Sequence, residues 1–218
     1  MSLSIAQIDV LQTLATLTSL LSMAGSCTII YNINSKRSSS SLLRLDTIES
    51  LVLTMSVLDI FSSLSFSFGT LPHSIGGPDS FVCQLQAFSI ELFALSTVFW
   101  NACMAHNLYL WVVCKRSLIS LRMNIKYYLL VSIGLPLCFA IGLTISKDFG
   151  FATLWCWISG PAQTLRFTLF YMFVVAAWLF NMLVYILVRR SHAKGGGATS
   201  TALQAQSAVQ VRSTLRRL

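Results

Sequence analysis

The chain has 218 residues, of which 55% are hydrophobic and 10% are charged, and its mean hydropathy is +0.72. This composition leaves too little polar surface for a soluble domain and predicts an integral membrane protein that contacts membrane lipid. The formal net charge is +8, but the basic residues form short clusters between apolar segments, where they act as topology signals, so no nucleic-acid partner is expected.

Five apolar segments are long enough to cross the ~30 Å hydrocarbon core of a bilayer. They lie at about 8–32, 48–70, 81–114, 126–146 and 165–188. No soluble domain fits between them. The expected fold class is therefore all-α, a polytopic membrane helix bundle over residues 1–190 followed by a basic segment over residues 191–218. In that last segment the glycines at 195–197 predict a flexible break, with helix-forming residues after it.

The basic residues predict the orientation of the bundle. They are concentrated in alternate connections, and 13 of the 15 Lys and Arg fall on one side when the C-terminal segment is counted. Only Lys147 and Arg166 fall on the other side. By the positive-inside rule the N-terminus is outside and the C-terminus is cytoplasmic.

The first predicted helix carries a stripe of small residues, and the second carries a carboxylate. Ala15, Ser19, Ser22 and Ser26 repeat at intervals of four, three and four, which favours close packing of a neighbouring helix rather than chemistry.

Asp59 stands at the centre of the second helix. An unpaired carboxylate there would cost about 2.5–3.5 kcal/mol on insertion scales, so it should face the bundle interior. Ser56 and Ser63 share its helical face and are the expected hydroxyl partners. Asp59 and these two serines could hold a sodium ion or a proton. The equally open alternative is that the carboxyl of Asp59 is protonated and has only a packing role.

The third helix is long and almost uncharged. Cys83 opens it, and Glu91 lies eight residues further on, roughly 12 Å deeper at about 1.5 Å per residue. That is the depth of a ligand cavity, so Glu91 is expected to contact a ligand or to pair with Arg166 or Lys147; a protonated packing residue is the alternative. Trp100 points half a turn away from Glu91 and is expected to pack against another helix.

The six cysteines show no C-x-x-C spacing, so no metal site is expected. Cys83 and Cys156 lie near the outer face, whereas the other four lie inside the helices or at their inner ends. The pair predicts a disulfide, or else two free thiols that lie close together. Trp155 and Trp157 flank Cys156, where they either cap a ligand cavity or belong to an interfacial aromatic belt.

Three sequence features together carry a family resemblance. A long third helix opened by a cysteine, WN at 100–101 with NLYL at 107–110, and CW at 156–157 resemble the cyclic-AMP-receptor-like family of G-protein-coupled receptors, over about residues 8–190. The resemblance implies a seven-helix receptor, without cofactor, that transmits a small-ligand signal from outside the plasma membrane to a heterotrimeric G protein. An enzyme is not expected, because the three histidines lie in different regions.

The resemblance also implies roles at the inner end of the third helix. His106, Asn107 and Tyr109, with Asn101 above them, would belong to the inner switch region, where HNLY replaces the acidic-Arg-Tyr triplet of rhodopsin-like receptors. Taken alone, His106 also fits an ordinary interior histidine.

The G-protein docking face implied by the resemblance lies in the connection after the third helix and at the end of the fifth. Its candidate residues are Lys115, Arg116, Leu118, Arg189 and Arg190. The alternative is that these basic residues set topology and contact anionic lipid.

Only five of the seven helices expected for such a receptor are present in this sequence. Signalling in seven-helix receptors uses movement of a sixth helix against the third and fifth. The expectation is a truncated or partial receptor, and the alternative is a non-signalling, receptor-derived membrane protein that pairs with full-length receptors in an oligomer.

Overall fold

The computed structural model describes residues 4–39, 47–159 and 162–215, which form eight helices and one two-stranded hairpin. Their bounds in chain order are α1 Ile5–Ser39, α2 Thr47–Ser67, α3 Leu71–Gly76, α4 Phe81–Val112, α5 Leu118–Arg122, α6 Ile125–Ser146, β1 Phe149–Phe151, β2 Cys156–Ile158, α7 Gln163–Arg166 and α8 Met172–Leu215, with a π-helical turn, Phe167–Tyr171, between α7 and α8.

Among the described residues, five helical segments are long and apolar enough to cross a membrane. They are Ala6–Ser35, Thr47–Ser67, Phe81–Val112, Ser120–Ser146 and Gln163–Ala193. The predicted five-span, all-α membrane bundle is therefore confirmed. The short helices α3, α5 and α7 and the β1–β2 hairpin were not predicted, because segments of three to six residues leave little periodicity to detect.

Helix α4 is the centre of the bundle. It packs against α2, α6 and α8 and against α3 and both strands, whereas α1 packs mainly against α2. The end of the bundle that carries the hairpin is called the outer end here, and the opposite end the inner end. Trp100 of α4 is fully buried and donates its indole N–H to the carbonyl oxygen of Leu51 in α2 at 2.9 Å, which confirms that it packs against another helix.

Local chemistry sets the boundaries of the elements at the outer end. The Ser80 hydroxyl accepts the N–H of Cys83 and caps the start of α4. Lys147 takes the left-handed conformation, φ 60°, that ends α6. The chain then forms the antiparallel hairpin, in which Gly150 pairs with Trp157.

Helix α8 continues to Leu215 and passes through residues 195–197 without interruption. The predicted flexible break at the three glycines is therefore wrong. Helix-forming sequence lies on both sides of the triplet, and each residue added to an existing helix gains a hydrogen bond, so propagation overcomes the weak propensity of glycine. Residues 216–218 lie outside the described part of the chain.

Candidate functional site

The outer end of α4 is tied to the hairpin by a disulfide between Cys83 and Cys156. Their Cα atoms lie 5.3 Å apart, they are separated by 73 positions in the sequence, and both side chains are fully buried. The predicted disulfide is confirmed. It holds β2 against the first turn of α4, which sets the position of the residues that follow Cys156.

Trp157, the next residue, is hydrogen-bonded to Glu91. Its indole N–H donates to Glu91 Oε2 at 2.8 Å, and both side chains are buried. The expected partner of Glu91 was Arg166 or Lys147; the hairpin instead brings an indole to it. Glu91 Oε1 is buried and has no hydrogen-bond partner within the described residues, so one oxygen of this carboxyl is left for a donor that the described chain does not supply.

Arg166 lies over the Trp157 ring. Its Nε donates to the carbonyl oxygen of Ile158 at 2.7 Å, Nη2 donates to the same oxygen, and the guanidinium carbon is 5.6 Å from the Trp157 ring centroid. This is within cation–π range. Glu91, Trp157 and Arg166 therefore form one contiguous group, called the outer triad here, in which the indole contacts both the carboxyl and the guanidinium.

The other two residues predicted for the cavity lie outside the outer triad. Trp155 packs edge-on against Phe66 of α2, with ring centroids 5.0 Å apart. Lys147 is exposed at the end of α6. The structure thus brings together three of the five residues predicted for the cavity.

Gln86 is a residue that the sequence analysis missed. It is buried, and its side chain joins three elements: Nε2 donates to the carbonyl oxygens of Ser65 at 3.1 Å and Gly69 at 2.9 Å, and Oε1 accepts the backbone N–H of Cys156 at 3.0 Å. An amide inside a membrane span needs partners, and this alone could have drawn attention to it. Gln86 therefore fixes the end of α2 and strand β2 to α4.

The carboxylate of Asp59 faces α1. Its Oδ2 accepts hydrogen bonds from Ser22 at 2.8 Å and from Ser26 at 2.7 Å. The predicted donors, Ser56 and Ser63 on its own helix, are buried but are not these partners. The small-residue stripe of α1, predicted to serve packing alone, therefore also carries hydroxyl donors to this carboxylate, because close approach of α1 puts them within reach.

The inner end of α4 combines one paired histidine with unpaired amides. His106 Nδ1 lies 2.9 Å from the hydroxyl of Tyr128 in α6. Asn107 is buried, and its Oδ1 and that of Asn181 in α8 have no partner within the described residues. Both residues, with exposed Asn101, line a cavity of about 450 Å³ between α2, α4 and α8.

The predicted docking residues lie at the inner ends of α4 and α8. Lys115 and Arg116 are exposed after α4, and Arg189 and Arg190 are exposed on α8. The Tyr109 carbonyl accepts the N–H of Val113 and of Cys114 at the end of α4. Leu118 is the first residue of α5; its side chain lies outside the described part of the structure.

No group of three His, Cys, Asp or Glu side chains within residues 4–39, 47–159 and 162–215 is arranged to hold a metal ion.

Comparison with known proteins gives consistent matches to receptors. A family model described as slime mold cyclic AMP receptor matches residues 3–194. Cyclic AMP receptor-like protein A of Dictyostelium discoideum is 26% identical over 64% of this chain and 35% of its own length, and cyclic AMP receptor 4 of the same organism is 32% identical over 61% of this chain and 29% of its own length. G-protein coupled receptor 157 of Mus musculus is 29% identical over 63% of this chain and 42% of its own length.

These matches cover about a third of the length of the relatives. The relatives are receptors and not enzymes.

Proposed function

Because this chain belongs to the slime mold cyclic AMP receptor family, we propose that it senses a small extracellular ligand at the outer triad and transmits the signal to a heterotrimeric G protein. The observation that carries the proposal is that Trp157 contacts both Glu91 and Arg166 and is held against α4 by the Cys83–Cys156 disulfide. A buried carboxyl with one unpaired oxygen is unusual in a membrane span and is typical of a functional site.

The chemistry of the triad favours a small ligand with an anionic group. Arg166 retains N–H donors beyond those that bind the Ile158 carbonyl, and a guanidinium holds phosphate or carboxylate oxygens in a fixed geometry. Lys147, a second cation at this end of the bundle, is exposed at the end of α6 and lies outside the outer triad. Cyclic AMP, after which several relatives are named, is the first ligand to test.

Glu91 would act on such a ligand through Trp157 or through its unpaired oxygen. It is fully buried, so a ligand that displaces Trp157 would expose or reorient the carboxyl. Trp155 would form part of the outer rim. The movement would pass along α4 to His106 and Asn107, about 22 Å away at 1.5 Å per residue.

Asn101, His106, Asn107 and Tyr109 are the proposed inner switch residues on α4. The His106–Tyr128 contact joins α4 to α6, so a shift of α4 would break or remake it.

In the same proposal Asp59, with Ser56 and Ser63 behind it, holds a sodium ion or a proton between α1 and α2. The basic residues at the inner ends of α4 and α8 dock the G protein, the N-terminus lies outside the plasma membrane and the C-terminus in the cytoplasm.

The test uses membranes from cells that express the full chain together with a heterotrimeric G protein. Saturable binding of radiolabelled cyclic AMP and ligand-stimulated nucleotide exchange on the G protein are measured. Arg166→Gln should weaken binding about tenfold or more, the usual effect of losing a hydrogen bond to a charged group. Lys147→Gln is the matched control and should change binding less than threefold.

Three results would each overturn one part of the proposal. No saturable binding by a wild-type chain with an intact disulfide would exclude cyclic AMP as the ligand, and equal losses in both variants would exclude the triad as its site. Binding without any change in nucleotide exchange would exclude G-protein coupling by this chain.

One observation favours a second function, pairing with full-length receptors. The inner cavity has two buried amide oxygens, of Asn107 and Asn181, without donors in the described chain. Polar side chains join helices in membranes, so a helix of a partner receptor with an amide or hydroxyl donor would fit there. Co-purification with a full-length receptor should fall in Asn107→Leu but not in the control Asn32→Leu, which changes an exposed amide on α1.

A further inference from the structure

The last of the five apolar helical segments is interrupted near its start by the π-helical turn Phe167–Tyr171. At the end of this turn a backbone N–H donates to the carbonyl oxygen five residues earlier, instead of four as in an α-helix. Single π-helical turns are rare and occur frequently at functional sites. This one follows Arg166 directly, and its residues Phe170 and Tyr171 have no role in the function proposed above.

The π-helical turn brings Tyr171 to the same side of the helix as Arg166. In a regular α-helix, side chains five positions apart point about 140° away from each other. A π-helical turn is wider and bonds residue i to residue i+5, so that such side chains lie nearly one above the other. Both therefore reach one indole: the Arg166 guanidinium carbon is 5.6 Å and the Tyr171 ring centroid 6.0 Å from the ring centroid of Trp157.

Phe170 places a second aromatic ring against the indole of Trp157. The two ring centroids are 5.1 Å apart, and the interplanar angle is 83°, the same angle that Tyr171 makes with Trp157. The rings of Phe170 and Tyr171 are themselves perpendicular, with centroids 5.6 Å apart. Edge-to-face pairs of this kind attract each other beyond the burial of their apolar area. The three rings thus form one cluster.

The orientation of the Trp157 ring decides whether Glu91 is hydrogen-bonded. The indole N–H lies on one edge of the ring, so rotation about the bond between the ring and Cβ would carry the donor away from its acceptor. The preference of that torsion is broad, so the side chain does not fix its own ring. In the structure the N–H reaches Glu91 Oε2 at 2.8 Å, and the neighbouring rings hold it there.

We propose that Phe170 and Tyr171 are positioning residues of the outer triad, presented by the π-helical turn so that the indole of Trp157 stays directed at Glu91. A movement of the start of α8 then reaches Glu91 through the indole. This assignment rests on the outer triad of the proposed function, but it concerns the chain without ligand, so it is tested without one.

The test measures hydrogen–deuterium exchange of the Trp157 indole N–H by NMR. The full chain, which has five tryptophans, is placed in lipid nanodiscs with its tryptophans labelled with ¹⁵N, and the signal is assigned by its absence in Trp157→Phe. Phe170→Leu and Tyr171→Leu should each raise the exchange rate about two- to tenfold, as expected for the loss of one aromatic pair. Glu91→Leu gives the rate of an indole without its acceptor.

Three controls separate positioning of the ring from general loosening. Phe167→Leu removes a ring of the same turn that is 62% exposed and makes no ring contact with Trp157 in the described chain, so the rate should not change. Tyr171→Phe keeps the ring and should keep the wild-type rate. The indole N–H of Trp100, bonded to a carbonyl of α2, should exchange equally in all variants. Where it does not, Phe170→Met and Tyr171→Met, which keep more apolar volume than loss of the fold allows, repeat the measurement.

Unchanged exchange in both leucine variants would overturn the proposal, because the indole would then keep its orientation without either ring. An equal rise in Phe167→Leu would also overturn it, since the effect would then belong to the turn as a whole. The expected rates in a chain that binds no cyclic AMP would refute the proposed ligand and would still support the role of the two rings.

Discussion

Replacing Gln86 by leucine removes three buried hydrogen bonds with little change in volume. The lost bonds run to the carbonyl oxygens of Ser65 and Gly69 and from the backbone N–H of Cys156. Each lost hydrogen bond costs a net of about 1 kcal/mol. Burial of the apolar leucine side chain lowers this sum, and the N–H left without an acceptor raises it, so the free energy of unfolding should fall by about 2–4 kcal/mol. Cys156 is fully buried, so water cannot replace the lost acceptor.

The assay is thermal unfolding of the chain in lipid nanodiscs, followed by tryptophan fluorescence. At about 2–4 °C per kcal/mol for a chain of this size, Gln86→Leu should lower the midpoint by about 5–15 °C. Non-reducing electrophoresis should show that the disulfide still forms, because Cys83 and Cys156 are unchanged. The outer end should therefore loosen without losing its cross-link.

Gln84→Leu is the control on the same helix. Gln84 is only half-buried, and its Nε2 donates to the Phe149 carbonyl at 3.2 Å and more weakly to that of Pro78 at 3.5 Å. Its loss should cost about 1 kcal/mol or less. Equal shifts in the two variants would refute the reasoning, because the three-way bonding of Gln86 would then contribute nothing beyond a surface amide.

Variants at three other contacts give further tests. The disulfide is tested by Cys83→Ser, Cys156→Ser and the double variant. Each removes the same cross-link, which is worth up to about 4 kcal/mol for a separation of 73 residues, so all three should lower the yield of monodisperse protein on size-exclusion chromatography equally. Additive losses in the double variant would contradict this. Asp59→Asn keeps a carbonyl-type acceptor for the α1 hydroxyls and should fold normally but abolish any stabilisation by sodium in thermal melts. Ser26→Ala should instead lower stability by about 1 kcal/mol at all sodium concentrations, and a sodium effect that survives Asp59→Asn would exclude the cation site. Trp100→Phe strands a buried α2 carbonyl and should cost about 1–3 kcal/mol in the same melts; an unchanged midpoint would show that the carbonyl finds another donor.

The sequence alone determined the class of this protein. A predominantly apolar segment of about 20 residues or more has few fates other than spanning a bilayer, so the five spans were predictable to within a few residues at most ends. The Cys83–Cys156 disulfide could also be predicted, since topology places both thiols at the same end of the bundle.

The tertiary structure decided which polar groups meet. Asp59 accepts from hydroxyls that precede it by 37 and 33 residues, Glu91 accepts from an indole 66 residues away, and Gln86 accepts an N–H 70 residues away. The sequence analysis looked for partners of Asp59 on its own helix, because helical periodicity relates only residues a few positions apart. For Glu91 it considered a ligand, Arg166 or Lys147 as the partner, or a protonated carboxyl with a packing role, and no indole.

Those long-range partners depend on how helices rotate against one another and on where a three-residue strand docks. Hydropathy places a segment in the membrane but hardly distinguishes one rotation about its axis from another, since lipid is as apolar as the core. Packing of small residues between α1 and α2, and the disulfide-held hairpin, select the rotation and the register. The sequence therefore determined that the described part of the chain has five segments apolar and long enough to cross a membrane, whereas only the tertiary structure decided which carboxyls, amides and indoles meet.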